Sequence, residues 1–190
     1  NGFITYDGTQ LFRIIGHHET ETVVNFENVK ISGGLKETYF YQAIIIEHSN
    51  VTVNIKSGTR ISNDREVASS LVNVTHYPLV TVCCGTLNIY EGAEFIYNDV
   101  EHGLSLSNKD MVVISSTAGH TNTGVVNVYG GYGRVAGSCF MMNHNGGLIN
   151  IYGGEWIANT DGSMGKPSLN SGYSSNDPAV VTLAGAWGYG

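Results

Sequence analysis

The chain has 190 residues, of which 42% are hydrophobic and only 13% are charged. This length suits one domain with its own core, and the low charged fraction excludes a charge-rich disordered tail and a coiled coil. A net charge of −7 offers no basic stripe along which a nucleic acid would release counterions, so no nucleic-acid partner is expected. No apolar run reaches the roughly 20 residues of a membrane helix, and we expect no membrane insertion.

Glycine is the most informative part of the composition. The chain contains 25 glycines and only 3 prolines, and the glycines have no three-residue period. Together with frequent valine, isoleucine, threonine and tyrosine, this composition predicts an all-β chain with many turns. The three cysteines include the neighbours Cys83 and Cys84 and cannot form a disulfide framework.

Five short segments share one pattern, in which an asparagine lies between two apolar residues. The five asparagines are Asn25, Asn54, Asn88, Asn127 and Asn150. Four of the copies have a glycine four residues later, namely Gly58, Gly92, Gly131 and Gly154. The first copy has Val29 at that position. The unequal intervals between the asparagines are typical of a solenoid with one variable loop in each turn.

The shortest repeat contains three strand-like pieces in succession, at residues 139 to 142, 148 to 152 and 155 to 157. Short turns rich in glycine and asparagine separate them. The same triplet fits the other repeats. Further first strands are predicted at residues 11 to 15, 43 to 46, 79 to 82 and 111 to 114, with a sixth at 180 to 183. The third strands contain Ile31, Ile61, Phe95 with Ile96, Val135 and Ile157.

Alternation of apolar and polar residues assigns the two faces of each second strand. Phe26, Ile89, Val128 and Ile151 are predicted to point inward. Each such side chain contributes about 1.5–3 kcal/mol when it is buried. The asparagines are predicted to lie on the outside.

These repeats resemble the right-handed parallel β-helix of the pectate-lyase-like superfamily. They are most similar to the Asn-Ile-Tyr-Gly-Gly repeats of large surface proteins of Gram-positive bacteria, and the resemblance covers roughly residues 10 to 160. It implies an all-β solenoid of about five to six coils with three strands per coil, and an extracellular or cell-surface location. Residues 1 to 190 are expected to form a single domain, as part of a longer chain or of a stacked assembly.

Equivalent residues of successive coils are expected to stack in columns about 4.8 Å apart. One column outside the second strands pairs asparagines with tyrosines: Asn88 with Tyr90, Asn127 with Tyr129, and Asn150 with Tyr152. Aromatic rings stack on pyranose sugars and amides bind sugar hydroxyls, so these residues are candidates for contact with a glycan. The alternative is a structural role, because stacked amides and rings also stabilise a parallel sheet.

A second column lies in the long turns that follow the third strands. Its polar residues are Asp64, Asp99, Glu101, His102 and Asp161. Asp64 and Asp99 occupy matching places in consecutive coils, which allows a catalytic carboxylate pair or a shared cation. The alternative is that these residues simply allow tight turns. The chain lacks the further aspartate, histidine and arginine elements of polygalacturonases and pectate lyases, which favours the turn interpretation.

A third column is predicted in the turns between first and second strands, where histidines collect beside Cys83. The candidate metal ligands there are His48, Cys84, His120 and His144, with His17 and His18 in an equivalent turn. Imidazole and thiolate groups on neighbouring coils are ligands for zinc or copper. The spacing forms no recognised metal motif, so solvated turn residues are the favoured interpretation and no cofactor is expected.

The sequence therefore leaves three functions open. The favoured one is a non-catalytic extracellular module, serving as a stalk, adhesin or fibre subunit that contacts a polysaccharide or cell-surface glycan. The second is a polysaccharide lyase or hydrolase, or a phage tailspike depolymerase, and the third is a metal-binding surface protein. A solenoid also has two open ends, and we expect them to be covered either by the remainder of a longer chain or by head-to-tail self-association with another copy.

Overall fold

The computed structural model of the chain describes residues 2–6, 10–16, 19–33, 42–63, 79–97, 112–114, 123–135, 141–143, 147–158, 169–170 and 180–183. Within these ranges the chain forms strands and turns and no helix. The described residues accordingly contain no helix long and apolar enough to cross a membrane. The predicted all-β class is confirmed.

Sixteen strands are present in the described part of the chain, and each paired neighbour runs parallel to it. They are β1 (Gly2–Tyr6), β2 (Gln10–Ile14), β3 (Thr22–Phe26), β4 (Val29–Gly33), β5 (Gln42–Ile55), β6 (Arg60–Asn63), β7 (Val80–Ile89), β8 (Glu94–Tyr97), β9 (Val112–Ile114), β10 (Val125–Val128), β11 (Tyr132–Val135), β12 (Met141–Asn143), β13 (Leu148–Ile151), β14 (Glu155–Ala158), β15 (Leu169–Asn170) and β16 (Val180–Leu183).

The strands lie in two sheets. The six-stranded sheet has the order β1-β4-β6-β8-β11-β14 and is called the third row. The ten-stranded sheet contains two rows, because β5 and β7 are long enough to pair with different strands along their two halves. The first row is β2, β5, β7, β9, β12 and β15, and the second row is β3, β5, β7, β10, β13 and β16.

The chain visits the three rows in the same order again and again. After β2, β3 and β4 it passes through β5 and β6, then β7 and β8, then β9, β10 and β11, and then β12, β13 and β14. Parallel neighbours can only be reached through such crossovers, so each pairing joins residues far apart in sequence. This arrangement of parallel strands in two sheets is compatible with the predicted β-helix.

One predicted strand lies in a different row of the structure, and two observed strands were not predicted. Residues 180 to 183 were predicted as a first strand, but β16 pairs with β13 and places Val180 opposite Leu148, in the second row. That prediction is wrong because a short apolar segment fits either row by pattern alone. The strand beside β12 in the first row is β15, which has only two residues and so was too short to predict. β1 was not predicted because it precedes the first asparagine segment and lies outside the repeat.

β5 and β7 have no turn between the first and second rows, contrary to the prediction. Each continues as one strand through the corner where the first row meets the second. The register between β5 and β7 shifts around Glu47, which lies opposite Cys84. Gly85 absorbs the irregularity with a φ of 88°. A Cβ atom there would lie 2.4 Å from the His48 carbonyl oxygen, so only glycine fits this corner.

The core confirms the predicted faces of the second row. Val51, Val53 and Ile55 are fully buried, and the residues between them are partly exposed. At the predicted inward positions, Ile89, Val128 and Ile151 are also buried. Phe26 is only partly buried, because it lies on β3 at the end of the row, where it packs against Phe12 with ring centroids 5.3 Å apart.

The turns between the second and third rows need one residue with a positive φ. Glycine supplies it in four repeats, with φ of 74° at Gly58, 77° at Gly92, 102° at Gly131 and 100° at Gly154. In the first repeat Asn28 has a φ of 53° and fills the same role. Asparagine tolerates this region better than other side chains, which explains how the repeat functions with Val29 in place of glycine.

Candidate functional site

The asparagines form a continuous ladder on the outer face of the second row. Their Cα atoms are in register from β3 to β13. Each Nδ2 donates to the Oδ1 of the preceding asparagine at 2.9 Å, from Asn54 to Asn25, Asn88 to Asn54, Asn127 to Asn88 and Asn150 to Asn127. The predicted alignment of the five repeats is therefore present in the structure.

The ladder satisfies much of the hydrogen-bonding capacity of its own members. An asparagine amide has two N–H donors and one acceptor oxygen, so an interior rung such as Asn88 uses one donor and its acceptor within the ladder. Each bond contributes about 0.5–1.5 kcal/mol net. One N–H per rung remains outside the ladder, which creates a row of donors with the spacing of the strands.

Three tyrosines stack beside the ladder, each two residues after its asparagine and directly after the end of the strand. The ring centroids of Tyr90 and Tyr129 are 5.3 Å apart with planes at 23°. Those of Tyr129 and Tyr152 are also 5.3 Å apart, with planes at 7°. The side chains are 36%, 48% and 46% exposed, in chain order. The three rings therefore form one column that stays open to solvent.

This stacking limits what the column can bind. Tyr129 has a parallel ring on each side, so its two faces are directed at Tyr90 and Tyr152. A pyranose that stacks on an aromatic residue needs an open ring face. At Tyr129 the column instead presents a ring edge and a phenol hydroxyl, next to the remaining N–H donors of the asparagines. Contact with a glycan would therefore depend on hydrogen bonds at this surface and not on a flat aromatic platform.

The first two rungs of the column carry charged residues in place of tyrosine. The positions equivalent to Tyr90 are Lys56 on the preceding strand and Glu27 on the one before, as the ladder register requires. The backbone N–H of Lys56 donates to the Phe26 carbonyl at 2.9 Å. Within the described residues, the aromatic surface thus covers the three rungs of Tyr90, Tyr129 and Tyr152.

An acidic groove lies beside the turns that follow the tyrosines. Its volume is about 320 Å³, and its walls include Glu91, Glu94, Glu155 and the backbone around Gly131. The Gly131 N–H donates to Glu91 Oε2 at 3.4 Å. The sequence prediction did not include this groove, and the only signal for it was a glutamate beside the repeated turn glycines.

The candidate catalytic residues cannot be placed in this geometry. Asp64, Asp99, Glu101 and His102 lie outside the described residues, and so does Asp161. The carboxylate pair therefore stays a prediction from the sequence.

The candidate metal ligands are only partly placed. His120 and His144 lie outside the described residues, as do His17 and His18. His48 is half-buried on β5, where its Nδ1 accepts a hydrogen bond from the Asn50 N–H at 3.1 Å. Among the residues that the structure describes, no three histidine, cysteine or acidic side chains lie close enough together to hold a metal ion.

Cys84 does not lie in a solvated turn, as the turn interpretation of this column required. Cys83 is fully buried and Cys84 is 7% exposed, and both pack with Ile45 in a small cluster apart from the main core. Burial raises the pKa of the Cys84 thiol, and the neighbouring Cys83 and Glu47 raise it further. The buried Glu47 carboxylate forms an ion pair with Arg13. A thiol in this environment is disfavoured as a thiolate ligand.

Comparisons with protein-family models, with curated proteins and with solved structures give no match.

Proposed function

We propose that the chain is a right-handed parallel β-helix that serves as a non-catalytic structural module of an extracellular or cell-surface protein. In this proposal the chain forms five to six coils with three strands each. The observation that supports it best is the asparagine ladder, which runs without interruption through five adjacent parallel strands.

The order of the rows supports a solenoid. Each passage through the first, second and third rows returns the chain to the first row beside the strand that it left, as in β5, β6 and β7. Crossovers between parallel strands of one sheet are right-handed in nearly all proteins, which supports the proposed hand. A wide range of repeat lengths is also accepted in solenoids, because additional residues form loops outside the stacked coils.

A structural role is supported by how the outward polar groups are used. The asparagine amides donate to and accept from one another, and the tyrosine rings stack on one another, so both columns join neighbouring strands. Such ladders stabilise a parallel sheet without any ligand. A module that holds its surface together in this way suits a stalk, an adhesin or a fibre subunit.

We further propose that this module binds a polysaccharide. The tyrosine hydroxyls and the remaining asparagine N–H groups recur once per strand, from Tyr90 to Tyr152. A linear glycan lying along the column would meet an equivalent set of donors at each rung. Many weak contacts of this kind add up along a polymer.

Head-to-tail association of copies is the second part of the proposal. Within the described part of the chain, β3 pairs only with β5 and β16 pairs only with β13. Each strand therefore has one backbone edge that could accept a parallel strand from another molecule. A contact of this type does not close on itself and produces a filament.

The proposal is tested by incubating the protein with a panel of acidic and neutral polysaccharides. We expect no release of reducing ends, together with retarded migration in gels that contain a bound polymer. Tyr129→Ala should weaken the retardation, whereas Tyr132→Ala, on the third row, should leave it unchanged. Release of reducing ends that disappears in Asp99→Asn would show a polysaccharide-cleaving enzyme and overturn the proposal.

Electron microscopy of concentrated protein tests the assembly. Filaments with an axial repeat are expected if copies stack head to tail. Separate particles at all concentrations would remove this part of the proposal.

A further inference from the structure

The tyrosine column brings exposed phenol rings together in an arrangement suited to oxidative chemistry. Tyr129 and Tyr152 are the closest to parallel, with centroids 5.3 Å apart and planes at 7°. They are also the two most exposed members, at 48% and 46%. Small diffusible oxidants therefore have access to both rings.

The backbone holds this pair in place. The Tyr129 N–H donates to the Ile89 carbonyl at 2.8 Å, and the Tyr152 N–H donates to the Val128 carbonyl at 2.8 Å. Two residues earlier, the Asn150 amide bonds to that of Asn127 at 2.9 Å. The two Cα atoms therefore stay next to the ends of adjacent strands, and each ring remains within reach of the other for as long as the sheet is intact.

We propose that Tyr129 and Tyr152 form a site of intramolecular dityrosine cross-linking. The co-reactant is a peroxide acting through a peroxidase-type one-electron oxidant. The product joins β10 to β13 by a covalent bond on the outside of the second row. This modification does not depend on the function proposed above.

The reaction balances as follows. Each phenol loses one electron and one proton and becomes a phenoxyl radical. The two radicals couple through one Cε carbon of each ring, and a new carbon–carbon bond forms. Each coupled ring then moves the hydrogen on its joined carbon to the phenol oxygen and regains its aromatic form. In total, two electrons and two protons leave the protein and reduce one hydrogen peroxide to two water molecules.

Proximity decides which tyrosines react. There are 11 tyrosines in the chain, and free radicals on separated side chains would couple between molecules as readily as within one. Two rings held on neighbouring strands have a high effective concentration, which favours the intramolecular product. Tyr90 also stacks on Tyr129, but it is less exposed and its ring is tilted by 23°. Tyr152 is therefore the preferred partner.

The experiment treats dilute protein with horseradish peroxidase and hydrogen peroxide. We expect a monomeric product that has lost two hydrogen atoms and shows dityrosine fluorescence. Peptide mapping should recover Tyr129 joined to Tyr152. Tyr129→Phe and Tyr152→Phe keep the stacked rings but remove a phenol, and each should lower the yield of this product by about tenfold or more.

Two matched variants separate the pair from general tyrosine reactivity. Tyr132→Phe changes a tyrosine on the third row, and Tyr90→Phe changes the tilted member of the column. Both should leave the yield of the cross-linked monomer within about twofold of the parent. Equal yields in all four variants, or cross-links formed only between chains, would overturn the proposal.

Discussion

The side chain of asparagine is well suited to the outer position of each second strand. It is short enough to stay beside its own strand, and it both donates and accepts, so one residue type can extend a ladder through any number of rungs. Asparagine is otherwise unfavourable in strands. The bonds from Asn54 to Asn25 and onward to Asn150 offset this cost.

Replacing an asparagine of the ladder by alanine should lower the free energy of unfolding more at an interior rung than at a terminal one. Asn127 takes part in two ladder bonds, and Asn25 takes part in one within the described residues. Asn127→Ala should therefore lower the free energy of unfolding by about 1–3 kcal/mol, and Asn25→Ala by about 0.5–1.5 kcal/mol. Urea unfolding followed by circular dichroism measures both values. Equal losses of unfolding free energy in the two variants would show that the ladder bonds do not stabilise the protein, since both variants change strand propensity alike.

The thiol of Cys84 was predicted as a metal ligand or a turn residue, and the structure buries it. Its pKa lies above the ordinary value of 9.0 because of burial, with added repulsion from Cys83 and Glu47. The placement of Cys84 in a turn was wrong, because adjacent cysteines after an apolar segment look like a turn, whereas β7 continues through them.

The raised pKa of Cys84 has a consequence for alkaline stability. As the pH rises past 9.0, the thiol loses its proton in the unfolded chain before it does so in the folded one. The unfolded state is then favoured, so the stability of the protein should fall with pH in this range. Urea midpoints measured from neutral pH upward should show a decline that is smaller in Cys84→Ala. An identical decline in that variant would show that Cys84 does not cause the loss of stability at alkaline pH.

At the scale of the elements, two strands of the third row fill the space left by a glycine on the strand between them. Gly133 on β11 lies in register with Phe95 on β8 and with Trp156 on β14. Its missing side chain leaves space in the core, and the two aromatic rings meet there with centroids 6.1 Å apart. The indole N–H of Trp156 donates to the Gly153 carbonyl at 3.3 Å, which satisfies its polar group.

Removal of this tryptophan should therefore open a cavity that spans two rungs. Trp156 is 5% exposed, and Trp156→Ala is expected to lower the free energy of unfolding by about 3–5 kcal/mol. The neighbouring Glu155 is exposed, and Glu155→Ala should change it by less than about 0.5 kcal/mol. Denaturant unfolding compares the two variants. A similar, small effect in both would mean that Phe95 fills the space alone.

The strands also show where the hydrophobic pattern of the sequence is insufficient to predict the structure. Strand positions were predicted well in the second row, where each segment carries an asparagine between apolar residues, as in β10 and β13. β16 was assigned to the wrong row, because hydrophobicity specifies a buried face and does not specify a neighbour. The continuous β5 and β7 were missed for a similar reason, since a corner can be made by a bulge as well as by a turn.

For the whole molecule, stacking determines which residues become neighbours. The rows bring together residues from every repeat, and one core cluster includes side chains from all three rows. Loops of any length leave this stacking unchanged, provided that each repeat re-enters the sheet in register. The surface columns are therefore properties of the assembled sheets and not of any single repeat.

The sequence by itself determined the strand class, the inward faces of the second row and the identity of the outer asparagines and tyrosines. These features depend on local alternation and on glycine, and both are visible within one repeat. The tertiary structure decided that the amides bond to one another, that the tyrosine rings cover each other's faces and that Cys84 is buried. Each of these depends on the register between strands from different repeats, and register is set by packing across the sheet.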